Sequence, residues 1–403
     1  MLGTTSSVGL LSRAAPAGAG RMASTSVTSA VRRERLALAA ILLGFVALAV
    51  ALALTRPPHT DEGHFANAAA LFAREGRLAM PMWIEWSPTL DQRMYITPPL
   101  YFVALGGWFE LFGMSFPSMR LFSVLWGVLL VAAWSVVAPA VSGRRSAALF
   151  GAALVGLNYD VVNIASARYD IMAAALNALA LAAYLAFRAR HLTRAALVAG
   201  ALLATSCVVH PYGVFGIVLV ASFALTLDLR RLGWREVLCG MAPFVVTLGA
   251  WGLYIAQDPA MFQAQFGQNA SGRMVAYRAP LAAFASELRE RYLVLFGGMR
   301  GSVPAAMRAK LGVLLLYAGG VTGCLLLPAL RRRPAVRALL VATAATFLML
   351  VFLESNRWYV YLIHIIPLYA TCAAVLCAEL LARGAWVRRT VLAGAALFAA
   401  FSV

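Results

Sequence analysis

Two carboxylates stand side by side in the stretch RPPHTDEGHF (56–65), Asp61 and Glu62, directly after the first long apolar run of the chain. A carboxylate at a membrane boundary can take a proton from a hydroxyl or hold a cation, and its neighbour can orient it or hold a sugar hydroxyl. Adjacent acids there can equally be solvated, or cap the helix that begins near His64. Thr60 and Asp61 are both helix-start residues.

Three other groups fall at comparable boundaries. In DQRMYITPPLYF (91–102), Pro98 and Pro99 break a preceding helix and are tolerated in the first turn of the next, which brings Arg93 and Tyr95 to the interface. In NIASARYDIMAAALN (163–177), Arg168 and Asp170 flank Tyr169 at the end of an apolar run. The planar donor fork of Arg168 suits a lipid phosphate, and a local pair with Asp170 is the plain alternative. In ESNRWYVYLIH (354–364), Glu354, Arg357, Tyr359 and Tyr361 lie at another boundary with His364 deeper. The cation suits an anionic head group, whereas the tyrosines fit an aromatic belt. His210, before the helix-breaking Pro211 and Gly213, reads as a structural histidine.

The elements that carry these residues follow from composition. Of 403 residues, 62% are hydrophobic and 12% charged, against about half apolar and a quarter charged in a soluble domain. The apolar residues form long runs, so the chain reads as an all-α polytopic membrane protein. The net charge of +18 would suggest nucleic acid in a soluble protein; here its meaning lies in where the arginines fall relative to the membrane. The five cysteines have no CxxC spacing, which argues against a disulfide or zinc framework. No P-loop or dinucleotide motif is present, and no internal repeat.

Arginine clusters at 31–35, 144–145, 188–194, 229–236, 331–337 and 383–389 mark cytoplasmic ends, so the N-terminus is expected inside. Residues 1–35 are expected as a tail, with 1–30 disordered rather than a cleaved signal peptide, and 36–403 as one multi-span domain. About eleven spans are expected, near 36–55, 117–140, 146–164, 168–187, 195–209, 211–228, 237–256, 310–330, 336–353, 358–382 and 387–403. Residues 56–116 and 257–309 become external loops. The segment TPPLYFVALGGWFELFG (97–113) is short for a crossing and contains Glu110. It is expected as a juxtamembrane or re-entrant helix anchored by Tyr101, Phe102 and Trp108, with 64–78 as a second such helix.

The order of these segments carries a resemblance. A first span, an external DE opening an amphipathic helix, TPPLYFVALGGWFELFG, SMRLFSVLWGVLLVAAW, GRRSAALFGAALVGLN and SARYDIMAAALNALAL resemble the GT-C integral membrane glycosyltransferases. The likeness is to the branch of protein O-mannosyltransferases and aminoarabinose transferases (glycosyltransferase family 39-like), and is clearest over about 36–190. It implies an enzyme that moves a sugar from a polyprenyl-phosphate carrier to a lipid, glycan or protein hydroxyl, at the outer face of the inner (plasma) membrane. By the same resemblance Asp61 is the base, Glu62 the second acidic position, Pro98, Pro99 and Leu100 the PPL signature, and Arg168 with Asp170 an Arg–x–Asp pair whose arginine meets phosphate. Arg93, Tyr95, Tyr169, Arg357 and His364 join the expected substrate-binding set.

One departure stands out: many relatives have a basic residue or histidine where this chain has Thr97, so either Arg93 or another cation contacts the donor phosphate or the donor is held differently. No cofactor is required by this reading, and a divalent cation near the carboxylates is admissible. The competing readings are a flippase of lipid-linked sugars, against which the absence of a repeat counts, and a non-catalytic scaffold of envelope synthesis.

Overall fold

The computed structural model describes residues 19–87, 89–165, 168–274, 278–299 and 304–402, and among them every regular element is helical. Helix α1 (Ala19–Thr55) begins inside the segment expected as a tail, while residues 1–18 lie outside the described residues. It is followed by α2 (Thr60–Glu75), α3 (Leu100–Phe112), α4 (Phe116–Ser142), α5 (Ala147–Gly156), α6 (Tyr159–Ile164), α7 (Tyr169–Phe187), α8 (Leu192–Val209), α9 (Val214–Asp228) and α10 (Trp234–Ile255). After short helical pieces over 259–271 and 280–296 come α11 (Pro304–Leu326), α12 (Pro334–Leu353), α13 (Ile366–Leu380) and α14 (Ala385–Ser402).

Among the described residues, seven helices are long and apolar enough to cross a membrane: Val31–Thr55 of α1, α4, α7, α8, Pro211–Asp228, α10 and α12. The protein is therefore a multi-pass membrane protein, with fewer such helices than the eleven expected. Two expected spans are interrupted and a third ends early, each for a local reason. Residues 146–164 split because Asn158 starts a new helix, its side chain accepting from the N–H groups of Asp160 (3.0 Å) and Val161 (3.2 Å). Residues 310–330 stop at Leu326, since Pro328 holds Leu327 extended. Residues 358–382 begin as a 3-10 turn, Tyr359–His364, before Pro367 starts α13.

Helix α3 begins directly after Pro98 and Pro99. Its 13 residues rise only about 20 Å at 1.5 Å each, too little for a hydrocarbon core of about 30 Å. It packs on α2 so closely that a Cβ on Gly106 would lie 2.9 Å from both Ala69 O and Phe72 Cδ1. Helix α2 begins earlier than expected. His59, rather than Thr60 or Asp61, is the N-cap, and Gly76 ends the helix in the left-handed conformation. Phe65, Tyr101 and Phe102 from this pair join Tyr169, Met172 and Val209 in one apolar cluster, which seats α2 and α3 on α7 and α8. A larger cluster through Phe45, Trp134, Tyr184 and Phe223 binds the membrane helices together. Helix α10 instead leaves Val237, Met241, Val245 and Leu253 exposed, as a lipid-facing helix does.

Candidate active site

The two adjacent acids have opposite surroundings. Glu62 is 2% exposed and faces α4, where Arg120 grips it with two parallel bonds, Nε to Oε1 at 3.0 Å and Nη2 to Oε2 at 2.7 Å. Glu62 Oε2 also accepts from His59 N–H at 2.9 Å, closing the N-terminal turn of α2. Arg120 in turn donates to the carbonyls of Ala53, Arg56 and Pro57. Every Glu62 oxygen is thus committed to holding the loop between α1 and α2 on the membrane helices. Asp61 is one residue back and about 100° around the helix. Its side chain is 26% exposed, and Arg168 Nη1 donates to its Oδ2 at 2.5 Å.

Arg168 is the extended residue before α7, which lets its side chain reach back to α2. Its Nε donates to Asp170 Oδ2 at 2.9 Å, so one guanidinium joins Asp61 to Asp170. The ring of Tyr169 lies against Phe65 and is stacked on His210 at 4.4 Å. Behind Asp170 lie two histidines. His210 Nε2 is 3.9 Å from Asp170 Oδ1, and ligand atoms of Asp170, His210 and His364 all fall within 4.8 Å of one another. Asp170 Oδ1 and His364 Nε2 have no hydrogen-bond partner. His210 is held by the turn Pro211–Gly213, where a Cβ on Gly213 would meet Cys207 N at 2.5 Å. Burial, then the charges of Arg273 and Arg168, keeps His210 well below the usual histidine range and neutral.

A cavity of about 230 Å³ opens beside this chain, with Thr97, Tyr169, His210, Asn269 and Arg273 among the residues that line it. The Thr97 hydroxyl, at the position where a cation was expected from the resemblance, has no hydrogen-bond partner. Arg273 supplies a cation on the same cavity. It follows the short helical pieces over 259–271 and is braced by Asn269 Oδ1 (3.0 Å) and the Tyr361 hydroxyl, over the rings of Trp358 and Tyr361. Nothing in the sequence marked Arg273, because the segment 257–309 has no motif; only its fold onto residues 89–97 brings it in. Gln265 makes that docking, accepting from Tyr95 N–H (2.6 Å) and donating to Arg93 O (2.9 Å), while Asn269 donates to Ile96 O (3.1 Å).

The remaining sequence candidates divide. Tyr169 lines the cavity, whereas Arg93 and Tyr95 lie at the joint between residues 89–97 and 254–269. Arg93 donates to the Tyr95 hydroxyl (3.2 Å), which donates to Tyr254 O (3.0 Å). Arg357 faces inward. It pairs with Glu287 (3.1 Å) and donates to the carbonyls of Val351, Glu354 and Ala283. Glu287 also pairs with Arg291, which reaches Glu354, so two arginines and two glutamates form a closed buried cluster. Arg357 adopts φ +56 to make these bonds, a conformation costly for a side chain with a Cβ. His364 lies at a void of about 20 Å³ with Asn177 and Thr346, room for one water, rather than on the larger cavity.

No protein-family profile matches the chain, and no curated protein is similar to it in sequence. Solved structures are similar in fold. ArnT from Cupriavidus metallidurans bound to undecaprenyl phosphate superposes with a TM-score of 0.62 at 17% identity, over 91% of this chain and 74% of that one. This is a GT-C fold. A second GT-C structure, the Archaeoglobus fulgidus oligosaccharyltransferase in its apo form, gives 0.55 at 12% identity, over 91% of this chain and 56% of that one. The same oligosaccharyltransferase in complex with Zn and sulfate gives 0.52 at 15% identity, over 90% and 53%. In this fold, helices α2 and α3 cover the ends of α4, α7 and α8, and Asp61, in the first turn of α2, is joined by Arg168 to the residue before the cavity-lining Tyr169.

Proposed function

We propose that the protein is a glycosyltransferase that moves a sugar from a polyprenyl-phosphate-linked donor to an acceptor hydroxyl. The observation that carries this reading is the pairing of a partly exposed carboxylate, Asp61, fixed by Arg168, with an adjoining cavity whose wall holds the cation Arg273. The solved GT-C structure with undecaprenyl phosphate supports a lipid phosphate as the occupant of that cavity.

Asp61 accepts the proton of the acceptor hydroxyl. The acceptor oxygen attacks the anomeric carbon while the bond from that carbon to the phosphate oxygen breaks, its electron pair leaving with the lipid phosphate. Single displacement inverts the anomeric configuration. Arg273 offsets charge on the departing phosphate, the kind of fixed donor that is most effective in a water-poor site. Glu62 and Arg120 keep Asp61 in place rather than touching substrate.

The site lies on the outer side in this reading. Helix α7 runs from Arg168 at the site to Arg188 at its far end, and α4 runs from Phe116 to the Arg144–Arg145 pair. Arginine-rich ends stay cytoplasmic, which supports an outer-face site with the N-terminus inside. The zinc in the oligosaccharyltransferase structure directs attention to Asp170, His210 and His364 as the group where a divalent ion would be sought here.

The test is transfer in proteoliposomes supplied with a panel of undecaprenyl-phosphate-linked monosaccharides and envelope acceptors. The expected result is a glycosylated product of inverted anomeric configuration by NMR. Movement of the donor across the bilayer with no product would replace this reading with the flippase.

A further inference from the structure

We infer that Arg168 is the built-in cation of this centre, and that the Asp61–Arg168–Asp170 unit works without a divalent metal ion. Two places in the structure are candidates for such an ion, and the side chains of both are arranged against it.

The first place lies between Asp61 and Asp170, the two carboxylates nearest the proposed chemistry. Arg168 already stands between them, with Nη1 on Asp61 Oδ2 at 2.5 Å and Nε on Asp170 Oδ2 at 2.9 Å. A metal ion joining the same oxygens needs oxygen ligands at roughly 2.0–2.6 Å. It would have to displace the guanidinium or share its space with a like charge. The guanidinium is also held from its faces, 5.9 Å over the Phe65 ring and 5.8 Å over the Tyr169 ring.

The second place is the buried group of Asp170, His210 and His364. A histidine that binds a metal through one ring nitrogen donates the proton on its other nitrogen to an acceptor. His210 does the reverse. Its Nδ1 accepts from Tyr212 N–H at 3.2 Å, which leaves the ring proton on Nε2, the nitrogen that faces Asp170. This tautomer offers Asp170 a donor and leaves no lone pair for an ion. Asp170 Oδ2 is meanwhile taken by Arg168. The polar atoms left over, Asp170 Oδ1 and His364 Nε2, are two where a closed tetrahedral site wants four ligands.

The positive charge that organises the two acids is therefore covalently part of the chain, and Arg168 is a positioning residue acting through Asp61. The test reads metal and stability as well as turnover, so it can fail independently of the glycosyltransferase reading. Protein purified without chelator should carry zinc, manganese and magnesium well below one equivalent. Its melting temperature should be the same with EDTA, with the zinc chelator TPEN or with added Mn2+. In Arg168→Ala the two carboxylates lose their shared cation. That variant should gain a rise in melting temperature with Mn2+ that the unaltered protein lacks, and should recover turnover with millimolar guanidinium.

About one equivalent of tightly held metal in the unaltered protein, with stability lost on chelation, would overturn the inference. So would an Arg168→Ala protein that folds and responds to neither Mn2+ nor guanidinium. The metal content and chelator response of the unaltered protein decide the matter even where the variant does not fold.

Discussion

Glu62 and Arg120, 58 residues apart in sequence, close a two-bond ion pair with side chains only 2% and 3% exposed. That pair separates the roles of the adjacent acids. It fixes the first turn of α2 against α4 and leaves Asp61 as the carboxylate that faces open space.

Removing one partner strands a buried charge, which costs about 3–5 kcal/mol. Glu62→Ala and Arg120→Ala should each lower the melting temperature sharply, and the double variant should lose much less than the sum. Additive losses in the thermal unfolding of the three proteins would contradict a direct pair.

Arg273 should act on the donor. Arg273→Ala is expected to raise the KM for the lipid-linked sugar or lower kcat/KM by roughly tenfold or more, at about 1.4 kcal/mol per tenfold. The melting temperature should change far less than for Glu62→Ala. Steady-state kinetics over a donor series check this; an unchanged kcat/KM would move the phosphate elsewhere.

Arg357 should behave in the opposite way. Its guanidinium neutralises buried Glu287 and satisfies several carbonyls. Arg357→Ala should cost about 3–5 kcal/mol of stability and leave the KM of the surviving folded fraction unchanged. A donor KM that rises with little loss of stability would restore Arg357 as a substrate ligand.

His64 gives the external helices a pH dependence. Its ring stacks on Trp83 at 4.8 Å, and burial lowers its pKa despite the opposing pull of Asp61. The unfolded chain then binds the proton more readily than the folded one. The stabilisation is complete above the unfolded value near 6.5 and is lost as the pH falls below it. Melting curves at pH 5 and pH 8 should differ for the unaltered protein and differ less for His64→Gln. Equal differences would remove His64 as the cause.

Local signals in the sequence reached some of this and missed the rest. The two prolines did mark the start of α3, and the amphipathic pattern marked α2, because chain breaks and helical faces are local properties. Asp61 could be singled out for its place after a span. Its partner Arg168 lies 107 residues away, and only the reach of the residue before α7 joins them. Arg120 was overlooked, although an arginine in the first turn of an apolar helix is the costly kind of residue that asks for a partner. Arg357 had the right charge at the right depth, but its direction is set by Glu287 and by a backbone turn that composition does not encode. The break at Asn158 has no mark within its apolar run, because an asparagine restarts a helix only when its side chain turns to cap it; Pro328 and Pro367 are marks that run length alone passes over.

The most direct measurement of the central claim is single-turnover sugar transfer by Asp61→Asn in proteoliposomes, on the donor the unaltered protein uses. Loss of the base should lower the rate about 10²–10⁴-fold, with the melting temperature and donor binding little changed. Full turnover by a folded Asp61→Asn protein would contradict the account.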